Sequence, residues 1–305
     1  MMRDVLVTGA GGFVGRFMVA RLLKAGYRVT GTGRDDRPRG MASEVEWRKA
    51  DLLRAAEIKL LRGNWWGVFH LASNSVPQSF KSSADTLANV AMTLELLEQM
   101  ESCRFLFASS CQVYQPGPGL LSERSPTRPA GRYGMSKLLC EQVVLACGGR
   151  HDVRIARPFN HLGPGMVPTL AIPSLVRRVF EERESKGALR MLGQNSVRDF
   201  IDVEDVVSAY LTLMEIDGPL ERIFNVCTGV ALSISEVADR VLKLIGSTRA
   251  IEFENAKLSS DDSQRLVGDP SRLMHLTSWR PGRTLDGSLA CMLRNVGFVG
   301  STGVV

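Results

Sequence analysis

Thr8-Gly9-Ala10-Gly11-Gly12-Phe13-Val14-Gly15 is the stretch on which the reading of this 305-residue chain turns. It lies between the apolar run Val5-Leu6-Val7-Thr8 and an amphipathic segment from Phe13 to Ala25, after which Tyr27-Arg28-Val29-Thr30 reads as a second strand. Strand, glycine turn, helix and strand make a βαβ unit. Glycines at 9, 12 and 15 let the chain turn tightly and bring its amides up to a pyrophosphate at the helix N-terminus, an approach that a Cβ would obstruct. A glycine trio alone is weak evidence. After a strand and before a helix it predicts a dinucleotide site.

Further along, apolar runs at Gly67 to Ala72, Arg104 to Ala108 and Val153 to Ala156 alternate with helical patterns at Thr86 to Met100 and Tyr133 to Ala146. The alternation predicts an α/β fold with a doubly wound parallel Rossmann sheet. From about Pro158 the pattern loosens through Gly163-Pro164-Gly165 and Pro168 into a charged helix from Ile172 to Lys186. A smaller α/β lobe for substrate is expected there. Residues 1–160 and 198–226 read as the dinucleotide-binding domain, residues 161–197 and 227–298 as the substrate lobe, and residues 299–305 as a frayed tail.

Composition sets outer limits. With 44% hydrophobic and 23% charged residues and no apolar stretch near the roughly 18 residues of a membrane span, neither membrane insertion nor export is expected. Cys103, Cys111, Cys140, Cys147, Cys227 and Cys291 are scattered without a CxxC pair, which suggests neither zinc nor a disulfide framework and fits a reducing cytoplasm. A net charge of +6 without a Lys/Arg block points to anionic small ligands and away from nucleic acid.

The second strand runs on into Gly31-Thr32-Gly33-Arg34. An NAD site would carry an acid here for the ribose hydroxyls, whereas an arginine suits the 2′-phosphate of NADP. Arg34 also reads as a solvated loop cation, with Asp35 and Asp36 beside it. Asp51, before Leu52-Leu53, is placed either to accept from the adenine amine or to cap the next helix.

Tyr133 and Lys137 lie four apart at the start of a predicted helix and share a face. A free tyrosine ionises near pH ~10, and a neighbouring ammonium stabilises its phenolate, so Lys137 is expected to make the Tyr133 phenol more acidic. Ser110 follows the strand that ends at Ala108. His70 and Cys111 read as packing residues, and Trp65-Trp66 as filling a core or a surface groove.

Taken together, the TGxxGxxG turn, His70-Leu71-Ala72, Asn89 with Thr93, Ser109-Ser110-Cys111-Gln112-Val113-Tyr114, the Tyr133/Lys137 pair, Arg157-Pro158-Phe159-Asn160 and Arg198-Asp199-Phe200-Ile201-Asp202-Val203 resemble the extended short-chain dehydrogenase/reductases of the NAD-dependent epimerase/dehydratase family. The resemblance covers nearly the whole chain. It implies catalytic roles for Ser110, Tyr133 and Lys137. Cofactor contacts are implied at Gly9, Gly12, Phe13, Val14, Gly15, Arg34, Asp51, Leu52, Leu71, Ala72, Asn89, Tyr133 and Lys137, and substrate contacts at Ser75, Ser110, Asn160 and Arg198. Asn160 also fits an Asx turn, and Arg198 a salt bridge with Asp199. A homodimer through the helices at 86–100 and 133–146 is a further implication.

Three reactions of nucleotide-linked sugars share this pattern: dehydration, inversion at carbon 4 and reduction of a 4-keto sugar. Dehydratases carry an Asp-Glu pair after the catalytic hydroxyl, because elimination needs its own acid and base. Cys111-Gln112 stands there instead. The Gly33-Arg34 ending leans towards reduction, because a reductase takes a fresh NADPH each turnover, and the stretches Ala156 to Gly165 and Phe224 to Gly229 are similar to reductases that form GDP-D-rhamnose, which implies a GDP-6-deoxy-4-keto hexose. A 4-epimerase with resident NAD and a non-catalytic NADP sensor are the alternatives. Relatives carry a diphosphate-gripping arginine before the Gly-Asp-Pro at 268–270, but this chain has Leu258-Ser259-Ser260-Asp261-Asp262, leaving Arg265 or Lys257 as substitutes.

Overall fold

Val5 and Val7 point to one side of the first strand and Leu6 to the other, as a period of two requires, and all three are fully buried. A strand buried on both faces belongs inside a covered parallel sheet. The structure, a computed structural model, describes residues 2–75, 80–185, 187–192, 194, 196–218, 221–253 and 265–298. In chain order its elements are β1 (Asp4–Thr8), α1 (Phe13–Lys24), β2 (Arg28–Gly33), β3 (Glu46–Lys49), α2 (Ala55–Ile58), β4 (Gly67–His70), α3 (Ser83–Gln99), β5 (Arg104–Ala108), α4 (Arg132–Ala146), β6 (Asp152–Pro158), β7 (Asn160–Leu162), α5 (Ala171–Glu181), β8 (Leu189–Met191), β9 (Val197–Arg198), β10 (Phe200–Asp202), α6 (Val203–Glu215), β11 (Ile223–Val226), β12 (Leu232–Ser233), α7 (Ile234–Leu244), β13 (Ile251–Phe253), β14 (Arg265–Leu266), α8 (Ser271–Leu276) and α9 (Leu285–Asn295).

Seven strands form one parallel sheet in the order β11-β6-β5-β4-β1-β2-β3. The Rossmann expectation holds. On one face Val5, Val7, Phe69 and Leu106 pack with Met18 and Leu22 of α1 and Val206 of α6; on the other Leu6, Val68, Phe105 and Phe107 pack with Leu96 of α3 and Val144 of α4. Each fully buried side chain of this kind contributes roughly 1.5–3 kcal/mol, so these two layers rather than the exposed ion pairs hold the frame. A third core joins Leu175 and Val179 of α5, Val237 and Val241 of α7 and Leu289 of α9, beside β8 and β13.

Chain order reverses between β1 and β4, which opens a crevice at the carboxyl ends of the strands. Gly9, Leu71-Ala72 and Ser109-Ser110 follow β1, β4 and β5 and therefore all emerge there.

Several element limits differ from the sequence expectation. The strand expected to reach Ala72 ends at His70, because the Leu71 and Ala72 amides turn to donate to Thr8 Oγ1 at 3.2 and 3.1 Å. β2 extends to Gly33, drawn out by pairing with β3 from Thr30 to Gly33. The helix expected to reach Lys186 ends at Glu181. Arg249 binds there, donating to the Glu182 carbonyl at 3.0 Å and to its carboxylate at 3.0 Å, so the helix end is satisfied early. Trp65 is buried and donates to the Leu61 carbonyl at 2.9 Å, while Trp66 lies between the guanidinium groups of Arg3 and Arg104, at 4.6 and 5.1 Å. Both tryptophans are packing residues. The expected tail, 299–305, lies outside the described residues.

Candidate active site

The glycine turn is held from beneath by a hydrogen-bonded chain. Thr8 Oγ1 accepts from the Leu71 and Ala72 amides, so its own hydrogen goes to His70 Nδ1 at 2.8 Å. His70 Nε2 then faces Thr93 Oγ1 at 3.2 Å, and Thr93 donates to the Asn89 carbonyl at 2.8 Å. His70 is fully buried, and burial pushes its imidazole down to about 3, which keeps it neutral. Asn89 spans the neighbouring gap: its Oδ1 accepts from the Asn74 amide at 2.9 Å and its Nδ2 donates to Ser136 Oγ at 3.2 Å. Gly9 has φ +66°, and a Cβ at Gly15 would stand 2.1 Å from the Gly9 carbonyl oxygen. Only a Cβ-free backbone allows so close a turn. The first turn of α1 follows Gly12, with no side-chain cap and no acid. Phe13 and Val14 are half-buried at this end, and Phe13 stacks on His161 at 5.8 Å between centroids. Uncapped amides at a helix N-terminus fit the pyrophosphate of a dinucleotide.

At the end of β2 the Arg34 side chain is exposed and has no hydrogen bond or ion pair with the described residues. Its neighbour Asp36 is taken by Lys49 at 2.9 Å, and the ammonium holds that carboxyl below the ordinary range. Asp35 is tied through its carbonyl to the Trp47 indole at 3.3 Å. Arg34 is thus left to solvent or to an anion. Asp51 Oδ1 accepts from the Leu53 amide at 3.0 Å in a local Asx turn and does not cap α2, whose N-cap is Arg54, and Leu52 is buried in the second core layer.

The wall that carries the expected catalytic residues is assembled from β5 and α4. Ser110 caps the short 3-10 turn Cys111–Val113, accepting from the Gln112 amide at 3.2 Å. α4 begins against that turn so closely that a Cβ on Gly134 would meet the Gln112 carbonyl oxygen at 2.2 Å. The contact delivers half-buried Tyr133 to Ser110, with which it hydrogen-bonds, and packs its ring edge-on to Phe80 at 5.8 Å. Lys137 is buried, donates to the Ala108 carbonyl at 2.8 Å and lies 5.9 Å from the Tyr133 ring centre. Burial brings Lys137 down to about 8 against the opposing pull of Cys140 and Glu141. Burial likewise pushes Tyr133 up to about 12, against the Ser110 hydrogen bond.

That value corrects the expectation of an acidified phenol. Desolvation is the largest cause, and Lys137, whose ammonium donates to the Ala108 carbonyl, is not among the groups that lower the phenol. Cys111 is buried, with its thiol pushed up to about 12 by desolvation, so it supplies no proton chemistry beside Ser110.

On the side facing β7 and β9, Asn160 opens β7 with its amide donating to the Asp199 carbonyl at 3.0 Å. Arg198 lies on β9 between β12 and β14, and its charge reaches the Cys111 thiol. Asp199 gives one carboxylate oxygen to Thr228, bonding its amide at 2.9 Å and its hydroxyl at 2.7 Å, and the other to the Gly229 amide at 2.8 Å. Ser75 is exposed on the loop after β4. Arg265 begins β14 with its Nε buried and without a hydrogen-bond partner among the described residues. The segment Leu258 to Asp262, which stands where relatives carry the diphosphate arginine, and Lys257 lie outside the described residues.

Residues the sequence reading passed over are Thr8, Glu141 and the role of Arg157. Glu141 was findable, four residues beyond Lys137 on the same helix face.

Comparison with known proteins agrees with this geometry. Residues 5–227 match the model of the NAD dependent epimerase/dehydratase family. A GDP-6-deoxy-D-mannose reductase of Pseudomonas aeruginosa is 31% identical, over 96% of this chain and 97% of its own. A UDP-glucose 4-epimerase of Mycolicibacterium smegmatis is 30% identical, over 93% and 96%. The solved structure of RMD from Pseudomonas aeruginosa complexed with NADPH superposes with a TM-score of 0.83 at 29% identity, covering 97% of this chain and 98% of that one. With a parallel Rossmann sheet, a glycine turn at its switch point and a Ser110, Tyr133 and Lys137 wall beside it, the chain belongs to the NAD dependent epimerase/dehydratase family of nucleotide-sugar-modifying enzymes.

Proposed function

We propose that the chain is a reductase that uses NADPH to reduce the 4-keto group of a nucleotide-linked 4-keto-6-deoxy hexose, with the GDP-linked sugar as the first candidate. The observation that carries the choice is Arg34, exposed at the end of β2 while Asp36 is held by Lys49. A cation without a partner there favours a 2′-phosphate, and a cofactor that is exchanged at each turnover suits reduction. A bound dihydronicotinamide supplies the hydride. Tyr133 gives its proton to the forming alkoxide, Ser110 steadies that oxygen, and Lys137 holds the nicotinamide ribose. Arg198 and Asn160 hold the diphosphate and sugar, so that remote binding orients the reacting carbon. Ser75 completes the substrate contacts. Arg265 is the candidate for the missing diphosphate arginine, on the strength of its unpartnered Nε.

The elimination reading loses support because neither Cys111 nor Gln112 is an acid–base pair. The 4-epimerase reading keeps some, since the 30% identical relative is such an enzyme and the same wall serves it. Residues 1–160 with 198–226 would bind the cofactor, and residues 161–197 with 227–298 the sugar. All six cysteines are free, which supports a reducing cytoplasm. Leu87 and Leu94 of α3 and Met135 and Leu139 of α4 are exposed apolar groups on adjacent helices, which supports a homodimer there.

The deciding experiment measures NADPH and NADH oxidation against GDP-, dTDP- and UDP-linked 4-keto-6-deoxy sugars. Faster turnover with NADPH on one of them is expected. Protein purified with tightly held NAD and inactive on the whole panel would make it an epimerase.

A further inference from the structure

Tyr133, Lys137 and Glu141 stand at successive i, i+4 and i+8 positions of α4, on one face. Each meets a different residue where β5 ends. Tyr133 meets the Ser110 hydroxyl, Lys137 meets the Ala108 carbonyl at 2.8 Å, and Glu141 accepts from the Ser109 hydroxyl at 2.5 Å. Glu141 is fully buried, and Arg157 of β6, only 3% exposed, grips it with two parallel bonds, Nε to Oε1 at 2.9 Å and Nη2 to Oε2 at 2.6 Å. Arg157 lies over the Tyr114 ring at 4.7 Å, and Tyr114 donates to Asn225 Oδ1 at 2.7 Å. Three strands, β5, β6 and β11, are thereby tied to one carboxylate.

Stability alone does not account for this. Desolvating two charges largely offsets their attraction, and apolar pairs of similar volume often serve a core as well or better. The position of the carboxylate does account for it. Around Lys137 stand Tyr133, Cys140 and Glu141 from its own helix, His70 from β4, and the Phe107 ring of β5 at 5.0 Å. His70 is neutral and Cys140 is a buried thiol pushed further up, so the negative charge next to the ammonium is the Glu141 carboxylate that Arg157 holds in an ion pair. Arg157 offsets the charge of that carboxylate in the ion pair, Nη2 to Oε2 at 2.6 Å.

We propose that Glu141 is a positioning residue for the Tyr133 and Lys137 pair: with Arg157 and Ser109 it clamps the end of β5 against α4, and it sets a fixed negative charge one turn from the Lys137 ammonium. The proposal concerns the same site as the reductase reading and rests on it only for its turnover arm.

The first arm needs no substrate. Lysine side chains are isotopically labelled, Lys137 is assigned by the loss of its signal in Lys137→Met, and its titration is followed by NMR. Glu141→Gln is expected to move the Lys137 midpoint down by about one pH unit, the size expected when a neighbouring buried charge is removed. Because that variant leaves Arg157 unpaired, the double variant Glu141→Leu with Arg157→Met is measured too, in which no charge is orphaned, and the same downward shift is expected. In the turnover arm either variant lowers kcat about tenfold or more and moves the alkaline limb of kcat to lower pH, while KM for the nucleotide sugar stays within about twofold. An unmoved Lys137 midpoint in a folded variant overturns the proposal, and so does a wild-type kcat and alkaline limb. If the wild-type protein turns over no sugar of the panel while Lys137 shifts as stated, the reductase reading falls and the clamp stands.

Discussion

The glycine turn after β1 and the wall formed by Ser110, Tyr133 and Lys137 face the same crevice but are built by opposite means. The turn is backbone: Gly9, Gly12 and Gly15 lie within one short stretch, and its chemistry is amides and the absence of Cβ atoms. The wall is side chains brought from β5 and α4, with Arg157 of β6 behind them. A backbone site is read from local spacing. A side-chain site acquires its properties from what buries it, as Tyr133 shows, being pushed up where its neighbour Lys137 by itself predicts the reverse.

If that contrast is right, damage to the wall should affect turnover and spare cofactor binding. Tyr133→Phe is expected to lower kcat by about 10³ with NADPH affinity unchanged, measured by steady-state kinetics beside a fluorescence titration of the cofactor. Equal turnover would remove Tyr133 as the acid.

His70 tests the support of the turn. Its imidazole is held at about 3 when folded against 6.5 when free, so between these values the unfolded chain binds more protons and stability falls as the pH drops from 6.5 toward 3. A loss of about 4 kcal/mol over that range is expected in urea unfolding. His70→Gln should flatten the limb, and an unchanged limb would assign it to other groups.

Gly15→Ala places a methyl 2.1 Å from the Gly9 carbonyl position and should raise the Kd for NADPH about 100-fold, by titration, while a still-folded protein keeps Tyr133 and Lys137 in place. The smallest effect sharpens the cofactor choice. Arg34→Ala should lower the NADPH-to-NADH ratio of kcat/KM about tenfold, and an unchanged ratio would return Arg34 to the status of a loop cation.

Much of the fold was legible because its signals are local. The alternation at Val5, Leu6 and Val7, the glycine spacing and the apolar runs each report on a few consecutive residues. The limits of elements were less legible, since they are set by distant partners: Thr8 Oγ1 ends β4, β3 prolongs β2 and Arg249 stops α5. Among site residues, the Tyr133 and Lys137 spacing was plain, whereas the importance of Glu141 depends on Arg157 and Ser109, which reach it from other strands.

The amino-acid sequence by itself determined the βαβ start, the parallel sheet and the position of the glycine turn, because these follow from short-range periodicity and from Cβ-free positions. Tertiary structure alone decided which charges are free and which are spent. Lys49 occupies Asp36 and leaves Arg34 without a partner among the described residues, and burial raises Tyr133 and lowers Lys137. Solvation and pairing depend on what lies within a few ångströms in space, and the order of residues along the chain does not specify that distance.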